Sequence, residues 1–428
     1  MTYSEAVASL HALPRFRNVK GIVPIQALLK LLKHPEKQLH FVHVAGTNGK
    51  GSVCHFCASV LKEAGYRCGL FTSPYVSDFR ERFVINGRMI PEERLAVFTE
   101  QVLSAAKQLQ ECGIVIREFE AVTAIAFLWF LEEDCDIVCL ETGLGGKTDA
   151  TNVVPPPLVS VITPISLDHT NLLGNTVEEI AGQKAGIIKP SSCCVTSASQ
   201  DTDALAVLME RCAQCGVNLI VPNKNAVSVL QSDLSGSRFL YEGEEYCLSM
   251  TGIFQVDNAV TVLEVCRALR QKGFSISQRA VQVGLRSVQV PARFEVFCRR
   301  PWVVADASHN PQAAKELSAL IRQIPSARKV LLLGMSADKD YAENVKFLAC
   351  EADQVCCVPL SEPRGLAPEI LKECAQHYCP RVTVQDNAKK ALEELLTTLS
   401  PEDALIVCGS FFLVGELRND LAKRFSES

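Results

Sequence analysis

Apolar positions along this chain fall into short continuous runs that alternate with longer stretches at helical spacing. After a helical start, residues 39–45 read as a buried strand, 52–64 as a helix ended by Gly65, and 66–71 as another strand. Further apolar strands are predicted at 136–140, 158–165, 193–197 and 218–221, separated by helical stretches such as 92–111 and 177–188. This alternation implies a parallel sheet with helices on both faces. From 226 to 250 the pattern becomes short and alternating, with Gly236 and Gly243 as turn residues. That predicts a small antiparallel addition ahead of a helix at 258–271.

The helices stop at Pro291, and a second alternation follows, with strands at 302–305, 329–333, 354–358, 381–384 and 404–408. The expected fold class is α/β in two parts. Residues 1–295 form a parallel-sheet domain of P-loop type carrying the antiparallel addition, and residues 296–428 form a smaller, Rossmann-like α/β domain. A chain of 428 residues is long enough for two cores, and two domains create a cleft.

Composition narrows the function classes. Hydrophobic residues are 48% and charged residues 21%, with a formal net charge of -5, so the basic footprint that a nucleic-acid backbone demands is missing. Apolar runs such as 121–131 fall short of the roughly 20 residues a membrane helix needs. The amino terminus has no basic-then-apolar export pattern. A cytoplasmic protein without nucleic-acid or membrane partners is expected. Nineteen cysteines are spread along the chain, and the two CxxC spacings, Cys54/Cys57 and Cys212/Cys215, fall in predicted helices rather than in the turns that carry zinc knuckles. They read as reduced thiols packed as small hydrophobes.

The strongest local signal is Gly46-Thr47-Asn48-Gly49-Lys50-Gly51-Ser52, set between a strand and a helix. There the backbone N–H groups and the helix N-terminus can cradle phosphates, with Lys50 neutralising the outer ones. It is not the common P-loop string, because Gly51 separates Lys50 from Ser52. A triphosphate site also needs carboxylate ligands for a divalent metal near a neighbouring strand end. Glu141 stands there, opening Glu141-Thr142-Gly143-Leu144-Gly145-Gly146, although a solvated strand-end glutamate is the plain alternative. The strand at 158–165 runs into Ser166-Leu167-Asp168-His169-Thr170, which brings an imidazole and a carboxylate to the same sheet edge. Arg293 could reach phosphate by a forked contact; Asp306 could accept a ribose hydroxyl or simply turn its loop.

Taken together these segments resemble the folylpolyglutamate synthase and dihydrofolate synthase family, itself similar to the Mur ligases. The resemblance rests on GTNGKGS at 46–52, TSP at 72–74, ETGLGG at 141–146, LDHT at 167–170, KAGIIKP at 184–190, HNP at 309–311, DKD at 338–340 and GSFFLVGE at 409–416. It implies that Asn48, Gly49, Lys50, Gly51 and Ser52 hold ATP phosphates, with Asn258, Arg293 and Asp306 completing the nucleotide site. It implies magnesium held by Ser73, Glu141 and His169, and a catalytic set of Lys50, Lys184 and His169, Lys184 being carbamylated so that it becomes an anionic metal partner. Phe119, Glu120, Thr148, Asp149 and Ala150 would receive the pterin substrate, and His309 and Ser410 the incoming glutamate. Departures from the family pattern are Tyr75, Phe254, Ala292, Ala307-Ser308 and Lys147, none of which removes a phosphate or metal group.

The resemblance implies a monomeric ligase that uses ATP and magnesium to add L-glutamate to tetrahydrofolate through an acyl phosphate, and leaves open whether dihydropteroate is used as well. Two alternatives stand beside it. A Mur-type ligase of cell-wall precursors shares the ATP chemistry but usually carries an additional amino-terminal domain. A noncatalytic nucleotide switch would bind ATP and be read by a protein partner.

Overall fold

A computed structural model of the chain describes residues 1–14 and 21–426. Its first sheet is built from β1 (Phe41–Ala45), β2 (Cys68–Phe71), β3 (Phe83–Ile85), β4 (Arg88–Met89), β5 (Ile137–Glu141), β6 (Val159–Ile162), β7 (Cys194–Thr196) and β8 (Leu219–Ile220), in the order β4-β3-β2-β5-β1-β6-β7-β8. From β2 to β8 across the sheet every pairing is parallel. Every residue of β1, β5 and β6 is buried, because helices cover both faces and leave no side of these strands to solvent. Helices Lys50–Glu63, Ile253–Gln271 and Gln278–Ser287 cover one face. Helices Tyr3–His11, Val23–Leu31, Glu92–Glu111 and Glu118–Glu132 cover the other.

The chain leaves β1 toward β2 on one side and later reaches β6 on the opposite side, so the carboxyl end of β1 lies where the strand order reverses. Ligands of open α/β sheets bind at such a reversal, because the connections diverge there and leave a crevice.

Strands β9 (Val227–Asp233), β10 (Gly236–Tyr241) and β11 (Glu244–Leu248) form the separate antiparallel sheet, and Phe239, Tyr241, Tyr246 and Leu248 sink into the core beside Lys50–Glu63. The last sheet holds β12 (Glu295–Arg299), β13 (Trp302–Asp306), β14 (Lys329–Leu333), β15 (Gln354–Cys357), β16 (Val382–Val384) and β17 (Ala404–Cys408), ordered β12-β13-β17-β14-β15-β16. All its pairings are parallel except β12 with β13.

Three features depart from the sequence reading. The edge strands β3 and β4 form a hairpin through Asn86 (φ 49°) and Gly87 (φ 83°), a turn dipeptide whose flanking strands are too short to give an apolar run of their own. Strand β12 is a largely half-buried edge strand whose apolar run, Val296-Phe297-Cys298, is too short to stand out in the pattern. The helix expected at 258–271 begins at Ile253, and the one expected at 177–188 ends at Lys184 in a short 3-10 turn. There Gly186 lies so close to Lys147 that a Cβ would sit 2.4 Å from its Cα.

A close helix contact in the first core is set by Gly284, whose Cβ, if present, would lie 2.6 Å from Val60 Cα. The neighbour is backbone and cannot swing aside. Gly284→Ala is therefore expected to cost about 1–3 kcal/mol of stability by overpacking. Urea unfolding measures this, and an unchanged midpoint would show that the two helices can part freely.

Candidate active site at the domain seam

The loop after β1 has a shape that only bare backbone permits. Gly46 has φ 153° and a Cβ there would meet Thr163 Oγ1 at 1.8 Å, while Gly49 has φ 83° and would meet Asn258 Oδ1 at 2.4 Å. Thr47 and Asn48 donate their N–H groups to Pro164 O at 3.0 and 3.4 Å, and the Thr47 hydroxyl donates to Ser166 O at 3.1 Å. Helix Lys50–Glu63 makes its first internal bond from Val53 N to Gly49 O, so the amides of Lys50, Gly51 and Ser52 remain available to an anion. Lys50 Nζ donates back to Thr47 O at 3.1 Å and stands 4.0 Å from Glu141 Oε1.

Around this loop a cavity of about 120 Å³ gathers Gly49, Lys50, Gly51, Ser73, Glu141, Asp168, His169, Lys184, Arg293 and His309. Glu141 ends β5 and accepts Ser73 N–H at 3.1 Å; burial raises its pKa, and the Lys50 charge opposes the rise. Lys184 is 4% exposed and donates to Gly46 O at 2.6 Å. Burial first, and then the Lys50 charge, push its amine well below the usual lysine range. His169, at φ 50°, stands before the short helix Thr170–Leu173. Its Nε2 lies 3.1 Å from Lys339 Nζ, which also donates to Asp168 Oδ1 at 2.7 Å. Burial would raise the Asp168 carboxyl, but Lys339 and then His169 outweigh it and hold the group below the ordinary carboxylate range.

Two larger cavities adjoin this one. One, of about 270 Å³, is lined by Asn48, Gly49, Ser52, Phe254, Asn258 and Arg293, among others, and lies beside the phosphate loop. The Arg293 guanidinium sits 5.0 Å from the Phe411 ring centroid and has no hydrogen bond among the described residues. Its loop is strained: Ala292 has φ 58° and Phe294 φ 45°, left-handed values that glycine adopts more readily. The other cavity, of about 480 Å³, is lined by Phe119, Glu120, Thr148, Asp149, Ala150, Ser73, Arg82, Arg117 and Arg364.

Some expected ligand groups are already committed to the protein. Asp306 accepts N–H bonds from Phe294 and Ser308, both at 2.8 Å, and so braces the 291–294 loop against the end of β13. Glu120 is bonded to the backbone and guanidinium of Arg117. Asp149 takes Leu144 N–H and the Thr151 backbone and hydroxyl. Ser410 caps helix Phe411–Phe425 through Phe412 N–H at 3.1 Å. His309 bonds Ala307 O at 3.0 Å, and burial lowers its pKa to about 4.

The second domain closes on the loop through Asn48 Nδ2, which donates to Gln312 Oε1 at 3.0 Å, and Asn310 Nδ2, which donates to Asn48 Oδ1 at 2.9 Å. Further along the seam Arg418 is bonded to Glu295 and Ser77, and Gly415 packs so closely that a Cβ would meet Val76 O at 2.0 Å. Sequence reasoning gave no role to Lys339, Arg82, Arg117, Arg364 or Gln312. Lys339 alone had a signal, inside the DKD string at 338–340. Both CxxC pairs lie within helices, and among the described residues no three His, Cys, Asp or Glu side chains are grouped to hold a metal.

Comparison with known proteins places this geometry. Residues 44–266 match the Mur ligase middle domain, and residues 292–411 match the Mur ligase glutamate ligase domain. Fold and phosphate loop together define a ligase of Mur type. The chain is 32% identical to folylpolyglutamate synthase of Lacticaseibacillus casei over 98% of its own length and 99% of the relative's. It is also 32% identical to dihydrofolate synthase/folylpolyglutamate synthase of Bacillus subtilis, with 98% and 99% covered. Mycobacterium tuberculosis folylpolyglutamate synthase complexed with ADP superposes with a TM-score of 0.89 at 27% identity, covering 98% of each chain. Escherichia coli FolC in complex with DHPP and ADP gives 0.86 at 30% identity, covering 99% of this chain and 98% of that one. This chain belongs to the folylpolyglutamate synthase and dihydrofolate synthase family.

A buried histidine underlies the wall of the larger cavity. His43 on β1 lies 2.8 Å by Nε2 from Thr151 Oγ1, whose own proton goes to Asp149 at 2.6 Å, so Nε2 is the donor and His43 Nδ1 has no hydrogen-bond partner among the described residues. Burial, with a smaller push from Lys189, lowers its pKa from 6.5 to about 3. A depressed folded-state value means that the unfolded chain binds the proton first. Stability contributed by neutral His43 is therefore whole above 6.5 and is lost as pH falls from there toward about 3. His43→Gln is expected to flatten the acid limb of the stability curve by up to about 1.4 kcal/mol per pH unit across that window. Urea titrations of both proteins at stepped pH measure the difference, and parallel limbs would refute the assignment.

Proposed function

We infer that this chain is an ATP-dependent ligase that joins L-glutamate to a folate carboxylate. The carrying observation is the seam cavity, where the phosphate loop, Glu141, His169, Lys184 and Arg293 meet the second domain's His309. Relatives named for folate glutamate ligation and neighbours solved with ADP favour this reading over a cell-wall ligase or a noncatalytic switch.

The amides of Lys50, Gly51 and Ser52 bind the ATP phosphates, and Lys50 offsets charge on the transferred group. Asn48, Gly49, Asn258, Arg293 and Asp306 complete the nucleotide site, Asp306 by bracing the Arg293 loop. The Ser73 hydroxyl, the Glu141 carboxylate and the His169 imidazole share one cavity, and a buried carboxylate held by a single N–H bond suits a hard cation. Those three groups would hold magnesium, which when bound would offset the negative charge of the phosphates. Lys184, with its amine biased to the neutral form, is suited to take up carbon dioxide as a carbamate, releasing a proton and gaining an anionic oxygen pair.

The folate carboxylate, received in the cavity lined by Phe119, Glu120, Thr148, Asp149 and Ala150, attacks the γ-phosphorus and expels ADP, giving an acyl phosphate. Glutamate's amine, positioned beside His309 and Ser410, attacks the acyl carbon, and the tetrahedral species expels phosphate to leave an amide. Closure of the seam keeps water from the acyl phosphate. Reduced folate is the substrate of this reading, and the assay below decides whether dihydropteroate is one too. The working unit is a monomer divided near residues 295 and 296. It resides in the cytoplasm, a compartment suited to nineteen unpaired thiols.

The test is phosphate release from Mg-ATP with L-glutamate plus tetrahydrofolate, and separately plus dihydropteroate, omitting each component in turn. Release that requires pterin and glutamate together is expected; no release, or release indifferent to both, would return the switch or Mur-type reading. Lys50→Ala is expected to lower turnover by about a hundredfold or more, with its urea midpoint unchanged. A variant within about threefold of wild type would remove Lys50 from the phosphate-transfer step.

A further inference from the structure

Lys339 lies in the second domain, on the turn between β14 and helix Tyr341–Ala349, yet its ammonium reaches across the seam to two groups of the first domain. The turn is tethered. Asp340 caps the helix through Glu343 N–H at 3.3 Å, Asp338 pairs with Arg364 at 3.4 Å, and Ala337 N–H bonds Arg364 O at 2.8 Å. Lys339 and Asp168 have side chains only 12% and 11% exposed, so this ion pair is shielded and held rather than waving in solvent.

The chemistry of the second contact is restrictive. An ammonium has donors and no acceptor, so His169 Nε2, 3.1 Å away, must present its lone pair to Lys339 Nζ. A divalent cation bound at Nε2 would need that same lone pair. It would also stand beside the Lys339 charge. The two occupancies exclude each other.

We propose that Lys339 is a positioning residue that competes with the divalent cation for the His169 lone pair, so that metal entry and release of this seam contact are one event. The proposal rests on the reading of His169 as a metal ligand. Because the turn is tethered to the second domain, the exchange ties metal loading to the way the two domains meet. By linkage, apparent metal affinity is reduced by the fraction of molecules in which Lys339 holds the imidazole.

The experiment is direct titration of the full-length chain with Mn²⁺, following free metal by electron paramagnetic resonance, with no turnover involved. Wild type is compared with Lys339→Met, Lys346→Met, His169→Ala and the double variant Lys339→Met/His169→Ala, each checked by circular dichroism. Lys346 is an exposed lysine on the following helix, paired with Glu343, and controls for bare charge removal. Lys339→Met is expected to tighten Mn²⁺ binding about fourfold to tenfold, Lys346→Met to leave it unchanged, and His169→Ala to weaken it and abolish the gain. If His169→Ala weakens binding but Lys339→Met does not tighten it, the competition is refuted and the metal-ligand reading stands. If His169→Ala has no effect, the metal-ligand reading falls and the proposal with it. Equal tightening by Lys346→Met would reduce the effect to net charge and overturn the proposal.

Discussion

Close packing around two glycines governs where every other part of this site can stand. Gly46 and Gly49 leave the end of β1 without side chains just where Thr163 and Asn258 fill the Cβ positions, and the chain can turn there only as bare backbone. That turn delivers the first amides of helix Lys50–Glu63 into the crevice at the reversal of strand order. The carboxyl ends of β5 and β6 open beside it, so Glu141 and the 166–170 segment converge on the same point.

Charge balance is the second organising force. The crevice holds Lys50, Arg293 and Lys339 against Glu141 and Asp168, with the Lys184 amine biased to its neutral form, a surplus of cations that suits a polyanionic ligand. Buried charges are costly unless paired. Lys184 meets that cost by losing its proton readily, Asp168 by taking Lys339, and Glu141 by its N–H bond and the distant Lys50. These pairings make the site responsive, because a ligand that brings its own charges must redistribute them.

Several acidic residues that the pattern (Asp306) or the family resemblance (Glu120, Asp149) offered as ligand contacts accept hydrogen bonds from neighbouring protein groups. Asp306 ties two loops together, Glu120 anchors Arg117, and Asp149 joins Leu144 to Thr151 and through it to His43. Each still lines or supports a cavity wall, so its effect on a ligand runs through the backbone it holds. A carboxylate at a strand end looks the same in sequence whether it faces a ligand or accepts the N–H groups of its own loop. The difference is decided by which donors the fold brings within about 3 Å.

What the sequence determined by itself is the local order of the chain: β14 and β17 with their boundaries, the alternation that builds the parallel cores, and the phosphate loop between β1 and its helix. These were legible because period, burial on both faces and glycine spacing are all written within a few residues. The largely half-buried edge strand β12 was not, since its apolar run is too short to stand out. Tertiary structure alone decided the seam: Asn48 with Asn310 and Gln312, and Lys339 with Asp168 and His169, residues separated by 170 positions or more. Such contacts depend on how two sheets come together in space, and neither partner carries a mark of the other in its own neighbourhood of the chain.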